Sequence, residues 1–139
     1  MKSGMKYCTT IAVFVLIIIT LSSFQQSSSD LSASMARGKE IYINQCQSCH
    51  MEAGEGIEDV YPPFVKSDYL MKDKARSIRI AMYGAFEEMK VNGKVYNSEM
   101  TSLELNDQQV TDVLNYVRNS FGNKGEAVTV EEVKALRKK

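Results

Sequence analysis

Two cysteines and the chain's only histidine stand together as Cys46-Gln47-Ser48-Cys49-His50. On a helical turn, residues three and four apart share a face. Cys46 and Cys49 can therefore present two sulfurs to one side, at a spacing suited to the two vinyl groups of a haem. His50, four residues from Cys46, can turn its imidazole under the same ring and bind iron. The string is the c-type haem attachment pattern, in which two thioether bonds and one iron ligand form a single device. Two other chemistries use the same residue types. Structural zinc needs a fourth ligand, and once an exported chain has lost Cys8 only a carboxylate could serve. A Cys-x-x-Cys redox site starts a helix in a βαβ setting, and the strands for one are missing. One covalent haem c is the reading that the spacing favours.

Iron in electron-carrying haem proteins commonly has His on one side and Met on the other. Six methionines lie beyond the N-terminal segment: Met35, Met51, Met71, Met82, Met89 and Met100. Met51 neighbours His50 and is badly placed for the opposite face of a ring. Met35 precedes the motif on its own helix, and Met82 falls on an apolar stripe where core packing is the ordinary role. Met71 and Met89 sit near expected helix ends and stay open. Met100 is the strongest candidate, 50 residues beyond His50 in a turn-rich loop. Such a loop can cross the far side of a ring and drop one thioether sulfur onto iron.

Helices must hold these groups. The pattern predicts one from about 34 to 46, with Met35, Ala36 and Tyr42 inward around Gly38. A second is expected over roughly 73–86, with Ile78, Ala81, Met82 and Ala85 on one face. The third is the clearest: Asn106 can cap it and Gln109 can reach back. Val110, Val113, Leu114, Val117 and Phe121 then form a stripe at helical spacing, with Gly122 as a stop. A short fourth helix follows Thr129, whose partner Glu132 sits three residues on. Gly54 to Pro63 and Val91 to Ser102 are turn-rich, and the second, with Asn92-Gly93, can form a small hairpin. Nothing else suggests a sheet. The expected fold is all-α, three to five helices wrapped round one haem. A core of this size is limited, and a large planar apolar group at its centre would add to it.

Residues 1–29 read as an export signal with a short polar linker, leaving 30–139 as the folded domain. Lys2 and Lys6 precede an apolar run from Ile11 to Leu21, which fits a secretory signal. At 11 residues the run is short beside the ~20 of a spanning helix. An uncleaved anchor stays open as the route to a membrane. The chain has 17 basic and 17 acidic residues, and without Lys2 and Lys6 there are 15 against 17, a net of −2. That balance excludes a nucleic-acid partner, which needs a basic face. The expected location is the periplasm or the outer face of the cytoplasmic membrane.

From about Met35 to Arg137 the sequence resembles a small monohaem cytochrome c of class I type. The likeness begins at Gly38-Lys39-Glu40-Ile41-Tyr42 and runs into the haem motif. It continues through Tyr61-Pro62-Pro63-Phe64, then Val91-Asn92-Gly93-Lys94-Val95-Tyr96-Asn97-Ser98-Glu99-Met100, and reaches Val113-Leu114-Asn115-Tyr116-Val117-Arg118. The resemblance implies a helical shell round the haem, with Gly38 and Tyr116 meeting where the first and last main helices cross. It also implies Met100 as the axial methionine, and the backbone carbonyl of Pro62 as acceptor for the second ring N–H of His50. Arg76 or Arg79 would pair with a haem propionate, a solvated helix face being the alternative for each. Relatives usually have proline after this methionine, where this chain has Thr101, implying a less rigid loop. Lys66, Lys72, Lys74, Arg76 and Arg79 could form a docking patch for an acidic partner or simply a solvated face. The function implied is a single-electron carrier between redox proteins, not an enzyme. Two alternatives remain: a haem enzyme or sensor with a labile sixth ligand for peroxide or a small gas, and a fixed cytochrome subunit of a membrane oxidoreductase.

Overall fold

Ser34, Gly38, Tyr42, Cys46 and His50 recur at every fourth position, and all five are buried. The first three lie on a helix over residues 30–45 (α1). After a turn at Cys46, the second short helix, Gln47–His50 (α2), continues the same inward stripe into the haem motif. The stripe differs from the expected one, since Ala36 is exposed and Met35 half-buried. Its members are small, polar or lone aromatic residues, so hydropathy alone gives little sign of it. The computed structural model describes residues 30–137. The apolar N-terminal run and the expected boundary at residue 29 lie outside them. The chain forms two units, Met1–Ser32 and Ala33–Lys139; of the first, residues 30–32 are described, and they are helical.

The helix expected over 73–86 is present but stops short at Tyr83, and a further short helix outside that range precedes it. Asp68–Lys72 (α3) is capped by Ser67, and Lys74–Tyr83 (α4) by Asp73, whose side chain accepts from the Arg76 N–H. Ile78, Ala81 and Met82 are buried as their spacing requires. Ala85, which continues that spacing, is off the helix, because Gly84 ends it with φ +82°. A hairpin follows, Met89–Val91 (β1) paired antiparallel with Lys94–Tyr96 (β2), Met89 opposite Tyr96. Its turn, Asn92-Gly93, has φ of 50° and 85°, the positive pair that a two-residue hairpin loop needs. Asn92 and Asp68 exchange hydrogen bonds of 3.0 and 2.7 Å, which dock the hairpin tip on α3.

Asp107–Arg118 (α5) and Val130–Leu136 (α6) start at full capping boxes, Asn106 with Gln109 and Thr129 with Glu132. Val110, Val113, Leu114 and Val117 of α5 pack with Tyr42, Ile78, Val128 and Val133 as the core. Phe121 is not on that helix. Its φ of 56° turns the chain back, and its ring joins Tyr42, Tyr116 and Phe64 at centroid distances of 5.2, 5.6 and 6.4 Å. Where α1 crosses α5, a Cβ on Gly38 would lie 2.0 Å from the Asp112 carbonyl oxygen and 2.9 Å from the Tyr116 Cβ. Only glycine permits that approach. Beside it, buried Asp112 accepts from Ser34 at 2.6 Å, from Arg37 at 2.7 and 2.8 Å, and from Gln108 at 3.0 Å. Burial alone would raise the Asp112 pKa, but these donors outweigh it and hold the carboxyl below its ordinary value. The described residues thus form six helical segments and one hairpin, against three to five helices expected. The two that no expected helix covers are the short helices α2 and α3.

Candidate functional site

The core opens into a cleft of about 380 Å³, within the range of small-molecule and cofactor sites. Cys46, Cys49 and His50 form one wall, with Pro62 and Phe64 beside them. Ile80 and Ala81 of α4, Met89 and Val91 of β1, and Val113, Leu114 and Val117 of α5 supply an apolar lining. Met100 and Leu103 complete it from the loop before α5. A predominantly apolar cleft with two thiols, an imidazole and thioethers at its walls suits a large planar apolar ring that carries a metal.

On the first wall, the α2 turn sets the spacing. The Cys49 and His50 amides both donate to the Cys46 carbonyl, at 3.2 and 2.9 Å. Burial, with a smaller contribution from Cys49, pushes the Cys46 thiol up to about 11. A thiol so raised is protonated at neutral pH, the opposite of the lowered value that activates a Cys-x-x-Cys redox pair. Nor is zinc favoured, since no group of three or more His, Cys, Asp and Glu is gathered for a metal among the described residues.

The loop after His50 folds back to meet it. Tyr42 donates its hydroxyl to the Met51 carbonyl at 2.5 Å. The Gly56 amide returns to the His50 carbonyl at 3.0 Å, while Phe64 and Val65 donate to the Gly54 carbonyl. This brings the Pro62 carbonyl to 2.9 Å from His50 Nδ1. A carbonyl can only accept, so Nδ1 carries the proton and Nε2 keeps its lone pair for a metal. Burial lowers the His50 pKa, and the Pro62 contact raises it by less. The neutral imidazole that ligation requires is thus favoured. Phe64 stacks on the ring, with centroids 4.1 Å apart and planes at 25°.

Two of the six methionines, Met89 and Met100, line the cleft. Met82 is buried in the core, and Met71 packs against it. Met100 is half-buried and forms an isolated antiparallel bridge with Ala85, exchanging two backbone hydrogen bonds of 2.8 Å each. Sequence reasoning missed this bridge, and Met89 gained its place through the hairpin register rather than through a helix end.

The five basic residues have different surroundings. Lys74 reaches Glu132 at 2.6 Å and the Ala127 carbonyl at 3.3 Å, and so ties α4 to the segment round α6. Arg76 lies 3.6 Å above the Tyr69 ring and donates through Nη2 to the Tyr69 carbonyl. Its Nε is buried with no hydrogen-bond partner, an arrangement that costs the desolvation of a charged donor. Tyr69 lines the cleft, so an anionic substituent on a bound ring would fit beside Arg76. Arg79 is exposed, as are Lys66 and Lys72.

The family model described as cytochrome c matches residues 35–121. The chain is 35% identical over 119 residues to cytochrome c-552 of Thermus thermophilus, an alignment that covers 78% of this chain and 80% of that protein. It is 26% identical over 103 residues to the cytochrome c subunit of alcohol dehydrogenase (quinone) from Gluconobacter oxydans, covering 72% of this chain and 22% of the subunit. Against the gluconate 2-dehydrogenase cytochrome c subunit of Pantoea cypripedii, identity is 32% over 106 residues, with 73% and 24% covered. The chain thus spans about a quarter of each of these two subunits and most of the Thermus protein.

Proposed function

The chain belongs to the cytochrome c family, and from that premise we propose that Cys46 and Cys49 would hold its haem covalently while His50 and Met100 would ligate the iron. The protein is an electron carrier rather than an enzyme, and its cofactor is one covalent haem c. The observation that carries the site assignment is the shared cleft, which both cysteines, His50 and Met100 line.

Bound haem supplies an iron that gains and loses one electron. The chain's own residues fix how that happens. The two sulfurs of Cys46 and Cys49 tether the ring, so that it is not lost when the fold loosens. Pro62 holds the Nδ1 proton of His50, which aims Nε2 into the cleft and makes it a better donor. The Met100 thioether completes a set that suits both oxidation states. Apolar walls exclude water, which keeps rearrangement on electron transfer small and tunes the potential. Arg76, with its unpartnered Nε, is the arginine that pairs with a propionate in this reading, rather than the exposed Arg79.

The partners are redox proteins, and the exported chain works in the periplasm or at the outer face of the cytoplasmic membrane. The likeness to dehydrogenase cytochrome subunits supports a second reading, a fixed subunit held by an uncleaved N-terminus. Intact mass of the exported protein separates the two, because a fixed subunit keeps Met1 and a free carrier has lost it. For the site, Met100→Ala is the test. It should abolish the far-red band of the oxidised protein and let carbon monoxide bind the reduced form, with the haem still attached. An unchanged spectrum would remove Met100 from the site and leave Met89 as the methionine to examine.

A further inference from the structure

We propose that Gly84 and Ala85 are positioning residues for Met100, and that their contact with its main chain sets how readily the thioether leaves the iron. The inference rests on Met100 being the ligand.

Three observations carry it. First, Met100 is where the main chain of residues 97–102 bonds to another segment. The Ala85 N–H donates to the Met100 carbonyl and the Met100 N–H to the Ala85 carbonyl, both at 2.8 Å. Asn97, Glu99, Thr101 and Ser102 are exposed, so side-chain burial gives this stretch little support. Second, the contact permits no side chain at 84. A Cβ there would lie 2.2 Å from the Met100 carbonyl oxygen and 3.0 Å from both the Thr101 carbonyl carbon and the Ser102 nitrogen, and the φ of +82° is itself unfavourable for other residues. Third, the Gly84 N–H donates to the Ile80 carbonyl at 2.8 Å, and Ile80 lines the cleft. The clamp therefore hangs the Met100 loop from the end of α4, the helix that forms the adjacent wall. A backbone held by a reciprocal pair has little freedom to swing, even without a proline at position 101.

The mechanical consequence can be read from ligand exchange. An external ligand such as cyanide reaches the ferric iron only after the sulfur has left, so its binding rate reports how often the loop opens. Weakening the clamp by one hydrogen bond should speed that opening about tenfold, the ratio equivalent to 1.4 kcal/mol. A role confined to overall stability would not single out this rate.

The test compares cyanide binding and the far-red band in the ferric holoprotein of Gly84→Ala, Ala85→Pro, Gly93→Ala and the parent. Gly84→Ala forces the carbonyl of Met100 away, and Ala85→Pro removes one donor. Gly93→Ala is the control, because Gly93 has φ +85° but nothing within 4 Å of its Cβ. The expected result is a weaker band and roughly tenfold faster binding in the two clamp variants, with Gly93→Ala close to the parent. Should Gly84→Ala fail to fold, Ala85→Pro decides alone. Parental rates in the clamp variants, or equal acceleration by Gly93→Ala, would overturn the proposal. Met100→Ala is measured alongside. If it keeps the far-red band, the ligand assignment beneath the proposal has failed; if it loses the band while the clamp variants behave as the parent, only the clamp has failed.

Discussion

The two sides of the cleft are built by different means. The histidine side is local in sequence: the motif spans five residues, and the Pro62 acceptor follows His50 by twelve. It is also deep, with Cys46 and His50 buried and Phe64 stacked on the imidazole. The methionine side is a half-buried residue on an exposed stretch, joined to α4 by one isolated bridge. A ligand held by buried, short-range contacts needs much of the fold to open before it moves. One held at a single bridge can leave through a local opening, at a free energy well below that of global unfolding. In the proposed ligation, an iron would be held firmly through His50 and reversibly through Met100.

The largest effect should come from breaking the anchored side. Cys46→Ser with Cys49→Ser removes both covalent bonds, and mass spectrometry after acid–acetone extraction should find the chain free of haem. On the other side Met100→Ala should leave the haem attached and change only the spectrum and carbon monoxide binding. Equal loss of haem from both variants would erase the contrast.

A change behind both walls is next in size. Gly38→Ala puts a methyl group into the Asp112 carbonyl at the α1–α5 crossing and should destabilise the holoprotein by about 3 kcal/mol, read by denaturant titration. Because α1 leads into the motif while α5 lines the cleft, it should loosen both sides alike. Asp112→Asn should cost about 2 kcal/mol at neutral pH through weakened charge-assisted hydrogen bonds. Its pH dependence has a definite sign. The folded pKa of Asp112 is depressed, so the stabilisation is complete above the unfolded value of about 4 and is lost as pH falls through the folded value. Acid titration of the variant should therefore be flatter than that of the parent below about pH 4. An identical acid limb would show that Asp112 gains nothing from its donors. The smallest effect is that of Gly93→Ala, about 1 kcal/mol of strain at a positive φ, without a change in either ligand.

What could be read in the sequence follows the same division. The haem motif and the two capping boxes are short patterns whose meaning depends on neighbours, and both caps hold at Asn106 and Thr129 as expected. The bridge between Ala85 and Met100 joins residues far apart in sequence, and Ala85 continued the spacing of Ala81 and Met82 well enough to pass for a helical position. Gly84 was the available signal for the helix end. The short helix α3 carries only five residues, too few for periodicity to register. On α1 Tyr42 is inward as expected, and the resemblance, not the hydropathy pattern, put Gly38 at the crossing. Ser34 was not expected inside, and neither Ser34 nor Gly38 is hydrophobic. They are inside because one donates to Asp112 and the other admits a backbone.

The proposed arrangement is a covalent haem with one anchored and one releasable ligand. It is tested most directly by the ferric absorption spectrum of the exported holoprotein, recorded before and after cyanide addition, with acid–acetone extraction of the same sample. The expected spectrum has a far-red band that cyanide abolishes while the haem stays bonded to the chain. Haem released by the extraction, or a spectrum with no such band from the start, would contradict it.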